Sequence, residues 1–229
     1  MHWFPKGRQT VKTSKWGFCG SNIRSIMRRS TDAIPIVSKL YCSTSPVSLL
    51  IRKRPVMVNG GGFVVTDSSH KVVFVVDGCG KLGARGELMV KDGEGESILY
   101  IHKKEGVVQA LSTRNKWNGY SIEYQGQNKL VFTLTDPKSC FALNSAVRIS
   151  IKPKKESNSS WDFEIHGSFV DKAFTIIDYY GRIVAQVQVE EVIGSKDLYQ
   201  VSVQPGYDQA FVIGIIAVLD NIFGESTSC

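Results

Sequence analysis

The chain reads as a mostly β protein, an antiparallel barrel closed around one apolar helix. Three observations predict this. Between Pro46 and Val203, short runs rich in β-branched and aromatic residues recur at roughly 8–14-residue spacing, separated by Gly, Asn, Asp and Ser. After Pro205-Gly206 comes a run of ten residues with no charge, Ala210–Leu219. With 42% hydrophobic and 21% charged residues, the 229-residue chain has enough apolar side chain for a real core.

The elements follow in order. Residues 1–54 carry eleven Lys/Arg against Asp32 alone, a balance of +10, whereas residues 55–229 carry seventeen against twenty, a balance of −3. The net charge of +7 therefore belongs to the N-terminal end. Residues 1–40 read as a basic, disordered extension ahead of a barrel domain over 41–229. This stretch has no apolar h-region of the length a secretory signal needs, so two readings stand. One is a basic tail that touches an anionic surface; the other is an organellar transit peptide. The compartment expected is intracellular, cytoplasmic or peripheral to a membrane, and organellar if residues 1–40 are a transit peptide.

The strands expected are Val47–Arg52, Phe63–Thr66, Lys71–Val76, Leu88–Lys91 and Ser97–Ile101, with Val107–Ser112 pairing with Gly119–Tyr124. Leu130–Thr135, Val147–Ile151, Trp161–His166, Ser168–Val170, Ala173–Asp178, Ile183–Val189 and Leu198–Val203 follow. Asp67–His70 and Asp92–Gly95 supply turns between them. Many short, evenly spaced strands form a sandwich or a closed barrel.

Tyr207–Phe223 reads as the helix, with Asp208 as N-cap or first-turn acid. Its apolar residues Phe211, Val212, Ile213, Ile215, Ile216 and Leu219 leave no polar face, so it must be buried all round. It is too short to span a bilayer, which takes about twenty residues. Gly214 would let a strand approach closely. A dozen strands and one such helix suggest a barrel with the helix at its centre.

No motif points to catalysis. Gly78-Cys79-Gly80-Lys81-Leu82-Gly83 has the G-x-G-x-x-G spacing of a dinucleotide-binding turn. That turn must open a helix, and here Gly86 and then Glu87–Asp92 read as the next strand. A Gly-rich connection between antiparallel strands is expected instead. Asp162, Glu164 and Glu190-Glu191 read as solvated strand faces and not as an acid–base pair. Cys19, Cys42, Cys79, Cys140 and Cys229 are odd in number with no C-x-x-C, which fits a reduced compartment. His2, His70, His102 and His166 have no metal-ligand spacing, and no metal or cofactor is expected. Asn158-Ser159-Ser160 is a glycosylation sequon without a secretory signal to make it matter.

The C-terminal stretch "YQVSVQPGYDQAFVIGIIAVLDNI" (Tyr199–Ile222) resembles the closing signature of the LURP-one-related proteins of plants. "YCSTSPVSLLIRKRP", "FVVTDSSHKVVFVVDG", "LMVKDGEGESILYIHKK", "FEIHGSF" and "GRIVAQVQVE" agree with it. The resemblance runs from about Tyr41 to Phe223. It implies a twelve-stranded antiparallel barrel around a hydrophobic C-terminal helix, similar to the Tubby C-terminal domain and to phospholipid scramblases. It also implies a regulatory role linked to plant defence. About forty residues precede the usual start of the family, and the resemblance says nothing of them.

The function expected is non-enzymatic binding, with an anionic phospholipid surface such as a phosphoinositide membrane as partner. The candidate residues are the basic clusters Arg52, Lys53 and Arg54; Lys103 and Lys104; and Lys152, Lys154 and Lys155, each cation near an anionic bilayer contributing about 1 kcal/mol. Two alternatives stand beside it, a protein-interaction scaffold without lipid binding and scramblase-like lipid transfer. A helix-filled barrel has no interior cavity for a small ligand. Nucleic acid is not expected on the barrel, because its balance is acidic.

Overall fold

The computed structural model describes residues 33–55, 61–78, 86–104, 116–123, 127–135, 147–153, 161–189 and 198–223. Twelve strands follow one another: β1 (Val47–Lys53), β2 (Gly62–Thr66), β3 (Val72–Gly78), β4 (Glu87–Asp92), β5 (Ser97–Lys104), β6 (Lys116–Ile122), β7 (Asn128–Thr135), β8 (Val147–Ile151), β9 (Phe163–Ser168), β10 (Ala173–Asp178), β11 (Ile183–Val189) and β12 (Leu198–Val203). Helix α1 (Gln209–Phe223) ends the described chain. Each strand pairs antiparallel with its sequence neighbours, and β12 returns to β1 with Val47 opposite Val203 and Arg52 opposite Leu198. The barrel is closed, so no strand edge is left unpaired.

Alternation builds the core. On β3, Phe74 and Val76 point in; on β5, Leu99 and Ile101; on β12, Tyr199, Val201 and Val203. They meet α1, whose residues Ala210–Leu219 are all buried, including Phe211, Val212, Ile213, Ile215, Ile216 and Leu219 at 0–1% exposure. Phe211 packs edge-on against Phe132 and tilted against Phe163, with centroids 5.5 and 5.1 Å away. Gly214 is where β5 presses closest: a Cβ there would lie 2.6 Å from a methyl of Leu99. At Gly119 the ring of Phe132 lies over the glycine and fills the place of a side chain.

Asp208 caps the helix and does more than cap it. Its Oδ1 accepts from Phe211 N–H at 3.2 Å, and its Oδ2 accepts from the N–H groups of Ile36, Val37 and Ser38 at 3.0, 2.7 and 3.0 Å. The buried carboxylate thus ties the segment before β1 across the helix-entry end of the barrel. Burial pushes its pKa up, and the four N–H donors pull back the other way.

Three expectations are revised. Ser168–Val170 is not a separate strand: Ser168 ends β9, and Phe169–Lys172 turns back into β10, with Lys172 N–H on Phe169 O at 3.0 Å. The strand-like composition reflects a different use, since Phe169 folds inward onto Phe174 while Val170 stands out at 72% exposure. Gly119–Ile122 pairs with β5 and β7, with Leu99 opposite Ser121; the expected partner Val107–Ser112 lies outside the described residues. Asp162 precedes β9, and its carboxylate accepts from Ile151 N–H at 2.8 Å, so it is no solvated strand face. The Gly-rich connection after β3 behaves as expected, because β4 pairs antiparallel with β3, Gly78 opposite Leu88; Gly80 and Gly83 lie outside the described residues.

Candidate functional site at the helix-exit end of the barrel

The two ends of the barrel differ in charge. Strands β1, β3 and β5 finish, and β2, β4 and β6 begin, at the end where α1 finishes. This helix-exit end holds Arg52, Lys53, Arg54, Lys103, Lys104, Lys116 and Lys172, with Glu87, Asp171 and Asp220 among them. The opposite, helix-entry end holds Asp67, Asp92, Glu94, Glu96 and Glu123 on its turns, alongside Lys71, Lys129, Lys152 and Arg182. The basic clusters of the sequence are therefore split. Arg52–Arg54 and Lys103-Lys104 share the exit end, while Lys152 lies beyond β8 at the entry end. Lys154 and Lys155 lie outside the described residues.

Strand alternation divides the clusters again. Lys53 follows the inward-facing Ile51 by two residues, and its ammonium meets Asp220 of α1 at 2.8 Å. Lys172 reaches the same carboxylate at 3.7 Å and lies 3.6 Å over the ring of Phe169. Both cations hold the last turn of the helix, where positive charge also suits the helix dipole. Arg54 bonds Val76 O and Asp77 Oδ1, each at 2.6 Å, and Lys91 meets the other oxygen of Asp77 at 2.8 Å. Burial raises the Asp77 pKa, but Arg54 and Lys91 hold it below the usual carboxylate range. Lys103 is half-buried, and its N–H donates to Gly86 O at 2.7 Å.

The outward residues are different. Arg52 and Lys104 are exposed, and so is Lys116, which sits directly opposite Lys104 on the β5–β6 ladder. Among the described residues neither lysine forms an ion pair. Below them on the same outer face, His102 stacks on Tyr120 with centroids 5.5 Å apart and planes 8° from parallel, and Tyr100 lies beside both. Val170, Val189 and Phe223 are the exposed apolar residues of the same end. The sequence reading missed Lys116. The signal for it was the hairpin itself, since a lysine opening a strand faces whichever residue closes the previous one.

The described residues contain no cluster of His, Cys, Asp and Glu able to hold a metal ion, and no helix long and apolar enough to cross a membrane. Burial pushes the Cys42 thiol up to about 11, which keeps it protonated and inert at neutral pH.

Comparison with known proteins matches residues 47–220 to the LURP-one-related family. The chain belongs to the LURP-one-related family. Protein LURP-one-related 6 of Arabidopsis thaliana is 54% identical to this LURP-one-related chain over 195 residues, covering 85% of it and 98% of the relative. Protein LURP-one-related 16 of the same plant is 47% identical over 212 residues, covering 88% and 99%. An X-ray structure of an Arabidopsis thaliana protein superposes with a TM-score of 0.59 at 20% identity, over 82% of this chain and 98% of that one, and shows the same fold. The exposed Lys104–Lys116 pair and the aromatic stripe beneath it thus sit on a LURP-one-related barrel.

Proposed function

We propose that this LURP-one-related chain is a non-enzymatic binding protein that attaches peripherally to anionic phospholipid surfaces through its helix-exit end. The observation that carries the reading is the cross-strand pair Lys104–Lys116. Like charges directly opposite on an antiparallel ladder are destabilising, so such a pair gains from an external anion. Arg52 stands exposed on the same rim, and Val170, at 72% exposure, is an apolar tip of the same end. The acidic turns of the entry end would face away from the bilayer. The half-buried carboxylate Asp77 and the buried Asp178 and Asp208 are each taken up by cations or backbone N–H groups, which favours structural roles for them over acid–base chemistry. Lipid transfer would require a segment that enters the bilayer, and α1 is committed to the core. A membrane-tethered regulator, intracellular and linked to plant defence, is the biological form of this proposal.

Co-sedimentation with vesicles tests it. Vesicles containing phosphoinositide should pellet the protein, phosphatidylcholine alone should not, and the binding should weaken with salt. Replacing Arg52, Lys104 and Lys116 together by Ala removes about 3 kcal/mol at about 1 kcal/mol per cation, roughly a hundredfold in affinity. Lys152→Ala, at the far end, should change nothing. Pelleting that ignores both salt and the triple substitution sinks the proposal.

A further inference from the structure

Three hairpins of the entry end are built alike. In the β2–β3, β4–β5 and β10–β11 turns, an aspartate (Asp67, Asp92, Asp178) receives on Oδ1 an N–H from the residue two positions on and another from four positions on, at 2.8–3.0 Å. The aspartate carbonyl accepts from the residue three positions on (His70, Gly95, Gly181), which has positive φ in each turn. The two residues between are Ser68-Ser69 in the first turn, Gly93-Glu94 in the second and Tyr179-Tyr180 in the third. Polar residues and glycine make the same turn, so its geometry does not call for tyrosine. Tyr179 and Tyr180 are nevertheless exposed by 52% and 77%.

The third turn is also braced more firmly than its sisters. Asp178 accepts on Oδ2 from the Arg182 guanidinium, at 2.7 Å from Nε and 2.6 Å from Nη2, and from Tyr207 O–H at 2.9 Å. Trp161 meets Tyr179 at 5.7 Å and Tyr179 meets Tyr180 at 5.6 Å, both edge-on, so the three rings form one ridge. Arg148 lies over Trp161 and Arg182 over Tyr180, with guanidinium carbons 5.7 and 5.2 Å from the centroids. The charge at this ridge faces outward as cation. Arg148 and Arg182 side chains are 56% and 54% exposed, whereas their carboxylate partners Glu164 and Asp178 are 12% and 7% exposed. Half-buried Lys152 is the next residue after Ile151, whose N–H donates to the Asp162 carboxylate at 2.8 Å, and the Asp162 carbonyl in turn accepts from Tyr179 N–H at 2.9 Å.

Rigid aromatic rings interleaved with arginine are the composition of energetic anchors in protein interfaces, and a braced turn loses little freedom on binding. We propose that Trp161, Tyr179 and Tyr180, flanked by Arg148, Lys152 and Arg182, form a docking ridge for an acidic peptide segment of a partner protein. The aromatic edges take its apolar side chains, and the two exposed arginines with Lys152 take its carboxylates. The ridge lies at the end opposite Arg52 and Lys104, so the proposal is independent of the membrane contact.

The full chain can be titrated against a fluorescein-labelled peptide that alternates glutamate with leucine, read by fluorescence anisotropy. A lysine–leucine peptide and an oligothymidylate strand serve as comparison ligands. The test variant is Tyr179→Ser with Tyr180→Ser, which installs the residues of the sister turn and so preserves the hairpin. The acidic peptide should bind saturably, at least tenfold more weakly to this double variant, whose unfolding midpoint should match wild type, and several-fold more weakly to Arg148→Gln with Lys152→Gln. The proposal is overturned by absence of saturable binding, by equal affinity for wild type and the Ser-Ser variant, or by equal or tighter binding of either comparison ligand.

Discussion

Asp178 shows how one side chain joins three parts of the barrel. Burial raises its pKa, but Arg182 and the Tyr207 hydroxyl hold it below the usual carboxylate range, while burial and the same contact push Tyr207 up to about 12. The sign follows from linkage. The folded pKa lies below the unfolded value of about 3.9, so the ionised group stabilises the fold above that value. This contribution is lost as pH falls through the depressed folded pKa. Asp77 acts in the same sense; Asp208, whose pKa is raised, acts in the opposite one, its contribution falling as pH rises above the unfolded value. Asp178→Asn should therefore cost about 2–3 kcal/mol at pH 7, the scale of hydrogen bonds to a charged group. It should also shrink the loss of stability between pH 7 and pH 3. Urea unfolding at the two pH values measures both, and an acid loss as large as that of wild type would exclude this role. Gly214→Val is a separate test of packing. Its side chain would run into Leu99 and Ile101 in a filled core, and overpacking of this kind costs about 1–3 kcal/mol.

At the scale of elements, α1 and the strand ends explain each other. The helix was legible because it is apolar on every face, and Asp208 was legible as its cap because it precedes the apolar run. The role of the lysines was not. Arg52, Lys53 and Arg54 look like one cluster in the chain, yet a strand sends neighbours to opposite faces, so Arg52 meets solvent and Lys53 meets α1. Lys103 and Lys104 divide in the same way. Reading alternation through the cations as well as through the apolar residues would have separated them. What no local pattern could supply was Lys53 opposite Asp220, far apart in sequence and joined only when the barrel closes. Two of the Asp-led turns, at Asp67 and Asp92, were visible as turn clusters; the third, at Asp178, the geometry all three share, and the anomaly of Tyr179-Tyr180 within it, needed the register. The clamp on the helix is testable. Asp220→Ala leaves Lys53 and Lys172 without their shared counter-charge, at side-chain exposures of 24% and 12%. Removing one partner of a fully buried pair costs about 3–5 kcal/mol. The partial exposure here reduces that to about 1–3 kcal/mol, readable as a lowered midpoint in thermal unfolding. Lys152→Ala, which touches no helix, should leave the midpoint in place.

For the molecule as a whole, the helix decides between two kinds of protein. A barrel of twelve strands encloses more apolar surface than its own inward side chains cover, and α1 covers it with a face in every direction. The helix also ties down the chain at both ends of the barrel, through Asp208 to Ile36–Ser38 at entry and through Asp220 to Lys53 and Lys172 at exit. Deleting Tyr207–Phe223 should therefore abolish folding rather than trim a membrane anchor. The inward faces of β3, β4 and β5, lined by Phe74, Val76, Leu88, Val90, Leu99 and Ile101, would open to water, and Asp178 would lose Tyr207. The truncated chain should accumulate in the insoluble fraction, and what stays soluble should bind a hydrophobic dye and lose cooperative unfolding. An anchor predicts the reverse: a truncated barrel that is more soluble, unfolds cooperatively at the parental midpoint and no longer pellets with vesicles. Soluble yield and a urea transition on the truncated chain separate the two, since a core helix and an anchor move both readings in opposite directions.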